Sequence, residues 1–170
     1  MGKDLDAKVS HQEMGVRPGT EGDLDELIEL NEAVAEEGVH IAAEAPIDRQ
    51  AKRGVYASMI NATDAAIFVA DMSGRIVGMV GISGTGVAEL GMYVATDLRR
   101  RGVGSALLEA AIAWAKEHGA YKISLDVWPH NEAARNLYRK YGFLEEGLLR
   151  KHYRRRNGEL WDAVLMGLVL

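Results

Sequence analysis

The chain contains no cysteine. Disulfides, thiolate metal sites and a cysteine nucleophile are therefore excluded. No apolar stretch reaches the length of a membrane span. Residues 1–13 are polar and mixed in charge and lack the apolar segment of a secretory signal, so they are expected to form a loose tail on a cytoplasmic protein, with the domain at 14–170. The five histidines show no ligand spacing such as H-E-x-x-H, so no metal is expected. No G-x-x-x-x-G-K-[ST] loop occurs, and the dinucleotide pattern G-x-G-x-x-G fails because Leu107 stands where its third glycine would be. Formal net charge is −5, which argues against nucleic acid as a partner because phosphate binding needs a basic face.

What is present is a sequence of 170 residues, enough for one domain around a sizeable core. Residues 14–17 begin a short strand. Thr20 is placed to cap a helix in which Leu24, Leu27, Ile28, Val34 and Ala35 recur at helical spacing, with Gly38 at its end. A loop over 39–46 leads to a second helix over 47–61. Apolar runs at 65–70 and 75–82 flank turn residues 71–74, and a third strand follows at 87–94. An amphipathic helix runs from Val103 to Gly119, then a strand over 121–128 stopped by Pro129, then a helix over 131–141. Residues 143–153 and 160–170 form a closing hairpin around Asn157-Gly158. This order predicts a mixed α/β layer fold, α+β in kind, with no regular βαβ repeat. Gly81, Gly84 and Gly86 read as hairpin glycines. The apolar last strand, 163–170, reads as an edge that a second copy would cover, giving a homodimer.

The run Arg99-Arg100-Arg101-Gly102-Val103-Gly104-Ser105 lies between a strand and a helix start. Free backbone N–H groups at a helix N-terminus favour an anion, and two residues without side chains let a pyrophosphate approach. Alone, the run fits equally well as a tight turn carrying solvated arginines.

A second pattern, Asn131-x-x-Ala134-x-x-Leu137-Tyr138-x-x-x-Gly142-Phe143, follows one helix and one strand later. The two together, preceded by Met92-Tyr93-Val94, resemble the signatures of the GNAT acetyltransferase superfamily over roughly residues 65–170. That resemblance implies a single-domain, mostly antiparallel sheet flanked by helices, with a splayed central strand pair holding the acyl-pantetheine arm of acetyl-CoA. It implies that Met92, Tyr93 and Val94 pair with that arm. Arg99, Arg100, Arg101, Gly102, Val103, Gly104 and Ser105 would hold the pyrophosphate, and Asn131 and Ala134 would contact the pantetheine or adenosine portion. Tyr138 would aim its hydroxyl at the thioester sulfur; its alternative role is packing between helix and sheet.

The reaction so implied is attack of a primary amine on a thioester, by direct transfer in a ternary complex since no cysteine can carry the acyl group. An alkylammonium has a pKa of about 10, so a proton must be removed at neutral pH. Glu89, on the strand face opposite Leu90, resembles the strand glutamate of phosphinothricin-type members and is the candidate base; Asp126, a water chain, or a purely surface role for Glu89 are the alternatives. His40 and His130 are placed either to line the acceptor pocket or to face solvent. Residues 151–156 read as a solvated basic turn, and Trp128 and Trp161 as packing. The acceptor is expected to be a small amine or amino acid ahead of a protein amine, with no nucleic acid or membrane partner. A non-catalytic acyl-CoA sensor on the same scaffold, or a nucleotide-binding protein using the glycine loop, is the competing reading.

Overall fold

A computed structural model describes residues 14–170; the expected tail lies outside the described residues. The elements are β1 (Met14–Pro18), α1 (Leu24–Glu36), α2 (Arg49–Asn61), β2 (Ala65–Met72), β3 (Arg75–Ser83), β4 (Val87–Val94), α3 (Val103–Glu117), β5 (Lys122–Val127), α4 (Glu132–Lys140), β6 (Leu144–Arg154) and β7 (Leu160–Val169). The mixed α/β class and the element order agree with the sequence reading. The second helix starts at Arg49 because Asp48 caps it, accepting the Ala51 N–H at 2.9 Å. The β2–β3 turn tightens to Ser73-Gly74, both at positive φ, as a two-residue hairpin of right-handed twist requires.

All seven strands form one sheet in the order β1-β2-β3-β4-β5-β7-β6. Every neighbouring pair is antiparallel except β4 and β5. Alternation along the strands feeds two cores. On one face, Val103, Leu107, Leu108 and Ala111 of α3 pack on Val80, Ile82, Ala88 and Leu90. Gly78 admits α3 this closely: a Cβ there would stand 3.0 Å from Leu107 Cδ1 and 3.1 Å from Val103 Cγ1. On the other face, Leu27 and Ile28 of α1 and Tyr56 of α2 pack on Ile67, Val69, Met79 and Tyr93.

The splay expected from the resemblance is present. β4 pairs with β3 along its length, from Ser83↔Glu89 to Gly78↔Val94, but pairs with β5 only over Val87–Glu89 against Lys122–Ser124. Beyond Ser124, β5 continues against β7 alone. A wedge therefore opens beside Leu90–Val94, and the backbone groups of β4 that face it lack a strand partner.

Three expectations are corrected. β7 is not an edge: it lies between β5 and β6, and its long apolar run reflects burial in the sheet interior. The free edge on that side is β6. The β6–β7 turn is not a two-residue Asn157-Gly158 turn; Gly158 N donates to Arg155 O at 2.9 Å and Arg155 N to Glu159 O at 2.8 Å, with Gly158 but not Asn157 at positive φ. Gly81 is not a hairpin glycine but sits within β3, where a Cβ would come within 3.1 Å of Met59 Cε on α2. No helix among the described residues is long and apolar enough to cross a membrane.

Candidate active site

The wedge opens into a cleft of about 820 Å³ that passes from the start of α3 to the α1–α2 side of the sheet. At the α3 end the chain turns sharply: Arg100 has φ 62° and Gly102, the N-cap, has φ 84°. Only glycine adopts the second of these without strain. The first α3 amide with a helical acceptor is Ala106, bonded to Gly102 O at 3.0 Å. The N–H groups of Val103, Gly104 and Ser105 precede it and have no intrahelical partner. Arg99, Arg100, Gly102, Gly104 and Ser105 line the cleft. Together the free amides and the helix dipole make an anion site.

Two residues of the expected set contribute less than the run suggested. The Val103 side chain is buried in the core, which leaves only its amide, and Arg101 lies outside the cleft wall. Arg99 has a further role. Its guanidinium grips Glu37 at the end of α1 through two bonds of 2.7 Å, while Nε donates to Val94 O at 3.2 Å. Arg99 and Thr96 hold the Glu37 carboxyl below the usual carboxylate range. Gly104 is needed for packing as well as for approach: a Cβ there would stand 3.0 Å from Leu137 Cδ2 and 3.5 Å from Met92 Cε.

Along the wedge, Met92 and Val94 line the cleft from β4, and Asn131 and Ala134 from the start of α4. The Asn131 side chain caps α4, accepting the Ala134 N–H at 3.2 Å. Tyr93 turns to the opposite core, where its hydroxyl meets that of Tyr56 at 2.8 Å and donates to Leu27 O at 3.3 Å. Tyr138 lines the middle of the cleft, with its ring 5.6 Å from that of Phe143. Burial of the side chain pushes its hydroxyl pKa well above the ordinary value, and the hydroxyl has no hydrogen-bond partner among the described residues. The group is therefore a protonated, unpartnered donor.

The far end of the cleft holds the carboxylates. Glu89, in register with Ser83 and Ser124, lines it together with Asp126. Tyr153 of β6 donates to Asp126 Oδ2 at 3.0 Å. Its pKa is pushed up to about 12, first by burial, then by the Asp126 hydrogen bond and the charges of Asp126 and Glu89. Gly81 and Gly91 face each other across β3 and β4, so no side chain from that pair fills the floor. The expected residues Tyr138, Glu89 and Asp126 thus share one cavity with the Arg99–Ser105 loop.

The N-terminal half, which carries no readable motif, supplies much of the remaining wall: Asn31, His40, Lys52, Tyr56 and Met59. His40 lies 3.2 Å from Glu37, and burial followed by the Arg99 charge lowers its pKa. His130 does not line the cleft; it is exposed, as the solvent-facing alternative expected, and its Nε2 bonds Val39 O at 2.8 Å. Among the described residues no cluster of metal-ligating side chains occurs.

The sheet thus opens between two parallel strands, with free helix amides at one end of the gap and carboxylates at the other, an arrangement suited to binding a long anionic ligand. Residues 27–143 match the family model described as the acetyltransferase (GNAT) family, and the chain belongs to that family. It is similar to an N-alpha-acetyltransferase of Sulfurisphaera tokodaii, 37% identical over 63% of this chain and 71% of the relative. It is also similar to the L-amino acid N-acetyltransferase AaaT of Escherichia coli, 39% identical over 49% of this chain and 51% of that protein. The chain thus spans only about half the length of the second relative. Its fold matches that of a phosphinothricin acetyltransferase of Sinorhizobium meliloti solved with acetyl-CoA, with a TM-score of 0.81, 20% identity, and coverage of 92% of this chain and 88% of that one. The activity that follows is acetyl-CoA-dependent N-acetyl transfer.

Proposed function

We propose that the protein acetylates the primary amine of a small amine or amino acid, with a protein amine as second choice, by direct attack within a ternary complex. The observation that carries this reading is the continuity of one cleft from the free amides of α3, past the Tyr138 hydroxyl, to Glu89 and Asp126. The pyrophosphate of acetyl-CoA would sit on the amides of Val103, Gly104 and Ser105, with Arg100 adding charge. The pantetheine arm would lie along the unpaired edge of β4 as an added strand, between Met92, Val94, Asn131 and Ala134.

The acceptor ammonium would enter between Glu89, Asp126 and Tyr153, where two carboxylates attract it. Glu89 removes its proton, directly or through water, with Asp126 as the alternative base. The amine lone pair then forms the C–N bond at the thioester carbonyl, and a β4 backbone N–H facing the wedge stabilises the oxyanion. Collapse breaks the C–S bond. Tyr138 donates its hydrogen bond, and ultimately its proton, to the departing thiolate, and the second proton lost from the amine nitrogen returns through water to the Tyr138 phenolate. The products are an N-acetyl amide and free CoA. The protein would work in the cytoplasm, and a homodimer would form through the free edge of β6.

Initial velocities measured over a grid of acetyl-CoA and acceptor concentrations test direct transfer. Intersecting double-reciprocal lines are expected. Parallel lines would mean a covalent acyl-enzyme and would overturn this mechanism.

A further inference from the structure

The α1–α2 connection, residues 37–48, forms one wall of the cleft through His40, Ile41, Ala42 and Ala43. Its outer side is fastened to the β6–β7 turn by two consecutive arginines. Arg155 is only 4% exposed. Its guanidinium donates to Ala42 O at 2.9 Å and to Gly38 O at 3.3 Å, and its Nε lies 3.6 Å from Glu44. The same plane lies 4.5 Å from the Trp161 ring centre and 5.4 Å from that of Trp128. Arg156 donates to Ala45 O and Pro46 O, each at 2.8 Å, and its backbone N–H to Glu44 at 3.0 Å. The basic turn is therefore not solvated at Arg155, while Arg156 stays exposed but is bonded to the loop. Arg155 does not line the cleft; it lines a smaller cavity on the other side of the loop.

The loop runs from α1 to α2 without strand pairing, so no sheet fixes its path. Four of its carbonyls are satisfied by the two arginines and a fifth, that of Val39, by His130. A planar guanidinium can bind two carbonyls and stack on an indole at once, which an ammonium cannot do. Ala42 joins the two sides directly, with its carbonyl on Arg155 and its residue in the cleft wall.

We propose that Arg155, supported by Arg156, is a positioning residue that sets acceptor recognition by holding this wall closed against the β6–β7 turn. The inference rests on the reading of the cleft as an acetyltransferase site. With the wall fastened, the space beside Glu89 and Asp126 takes a free small amine. With it loosened, small acceptors are held poorly and larger ones gain access. Acetyl-CoA, at the α3 end, is unaffected.

The test uses Arg155→Lys, with L-alanine, L-phenylalanine, spermidine and an alanine-initiated tetrapeptide as acceptors. Amide exchange is expected to accelerate within residues 37–46 alone. For the acceptor best used by wild type, KM should rise about 10-fold or more with kcat little changed, the signature of lost binding that is equal in ground and transition states. The acetyl-CoA Kd should stay the same, and the ratio of peptide to free-amine kcat/KM should increase. Unchanged exchange in 37–46, or faster exchange with unchanged acceptor KM and selectivity, would overturn the inference. Should Arg155→Lys fail to fold, Arg156→Ala removes two of the four arginine-held carbonyl contacts from a more exposed position. It is expected to shift the same readouts in the same direction, and no shift would be equally fatal. Wild type releasing CoA with none of the four acceptors would instead overturn the proposed acceptor class.

Discussion

Replacing Tyr138 with Phe separates chemistry from packing, because the structure predicts opposite outcomes for the two. The ring is buried against Phe143, and Phe preserves that contact. The hydroxyl forms no hydrogen bond among the described residues and opens on the cleft, so Phe breaks no contact within the fold. Its removal should therefore leave stability within about 0.5 kcal/mol of wild type, or raise it slightly. The departing thiolate, by contrast, loses its donor. General acid groups contribute about 10²–10⁴-fold, so kcat should fall at least about 100-fold, or roughly 2.7 kcal/mol of barrier. The raised pKa makes Tyr138 a weak acid but keeps it protonated, so no pH limb from it should appear below about pH 10. Stopped assays of CoA release and urea unfolding on the same preparation measure both quantities. An unchanged kcat would refute the assignment and leave Tyr138 as a packing residue.

Further outcomes follow from the same geometry. Gly102→Ala forces a side chain into the left-handed region at φ 84° with open space around it, so it should cost about 1–2 kcal/mol from backbone strain and weaken acetyl-CoA binding in calorimetry. Glu89→Gln should lower kcat by about 10²-fold or more in CoA-release assays. A larger loss in Asp126→Asn would transfer the base to Asp126. Asp23 accepts from Arg17 at 2.8 and 2.9 Å and from Thr20 N at 2.7 Å, and its pKa falls from 3.8 to about 2. A carboxylate lowered on folding stabilises above its unfolded pKa and loses that contribution as pH falls through the folded one. Asp23→Asn should therefore cost roughly 2 kcal/mol at pH 7, with the deficit shrinking between about pH 4 and pH 2 in urea titrations.

The two segments that meet at the α3 and α4 end of the cleft were legible because each is contiguous. The Arg99–Ser105 run and the Asn131–Phe143 spacing each lie in one turn or one helix, where local geometry fixes which groups share a face. Strand alternation likewise placed Glu89 opposite Leu90. The other end of the cleft is assembled from distant segments. Asn31, Lys52, Tyr56 and Tyr153 reach the cleft only through tertiary packing, and no spacing relates them. Arg155 looked like one charge in a basic run, since nothing local shows that it would be buried between two tryptophans. The last strand was misplaced for a related reason. A continuous apolar run fits an interior strand as well as a sticky edge, and only the pairing of β7 with both β5 and β6 decides between them.

Acceptor-dependent release of CoA tests the central claim most directly. The chain has no cysteine, so a thiol reagent reports CoA free of protein background. With acetyl-CoA and a panel of small amines, amino acids, polyamines and peptides, the account predicts release that requires both an acceptor and the Tyr138 hydroxyl. Tight acetyl-CoA binding with no release for any acceptor would contradict catalysis, and failure to bind acetyl-CoA at all would contradict the assignment of the Arg99–Ser105 loop.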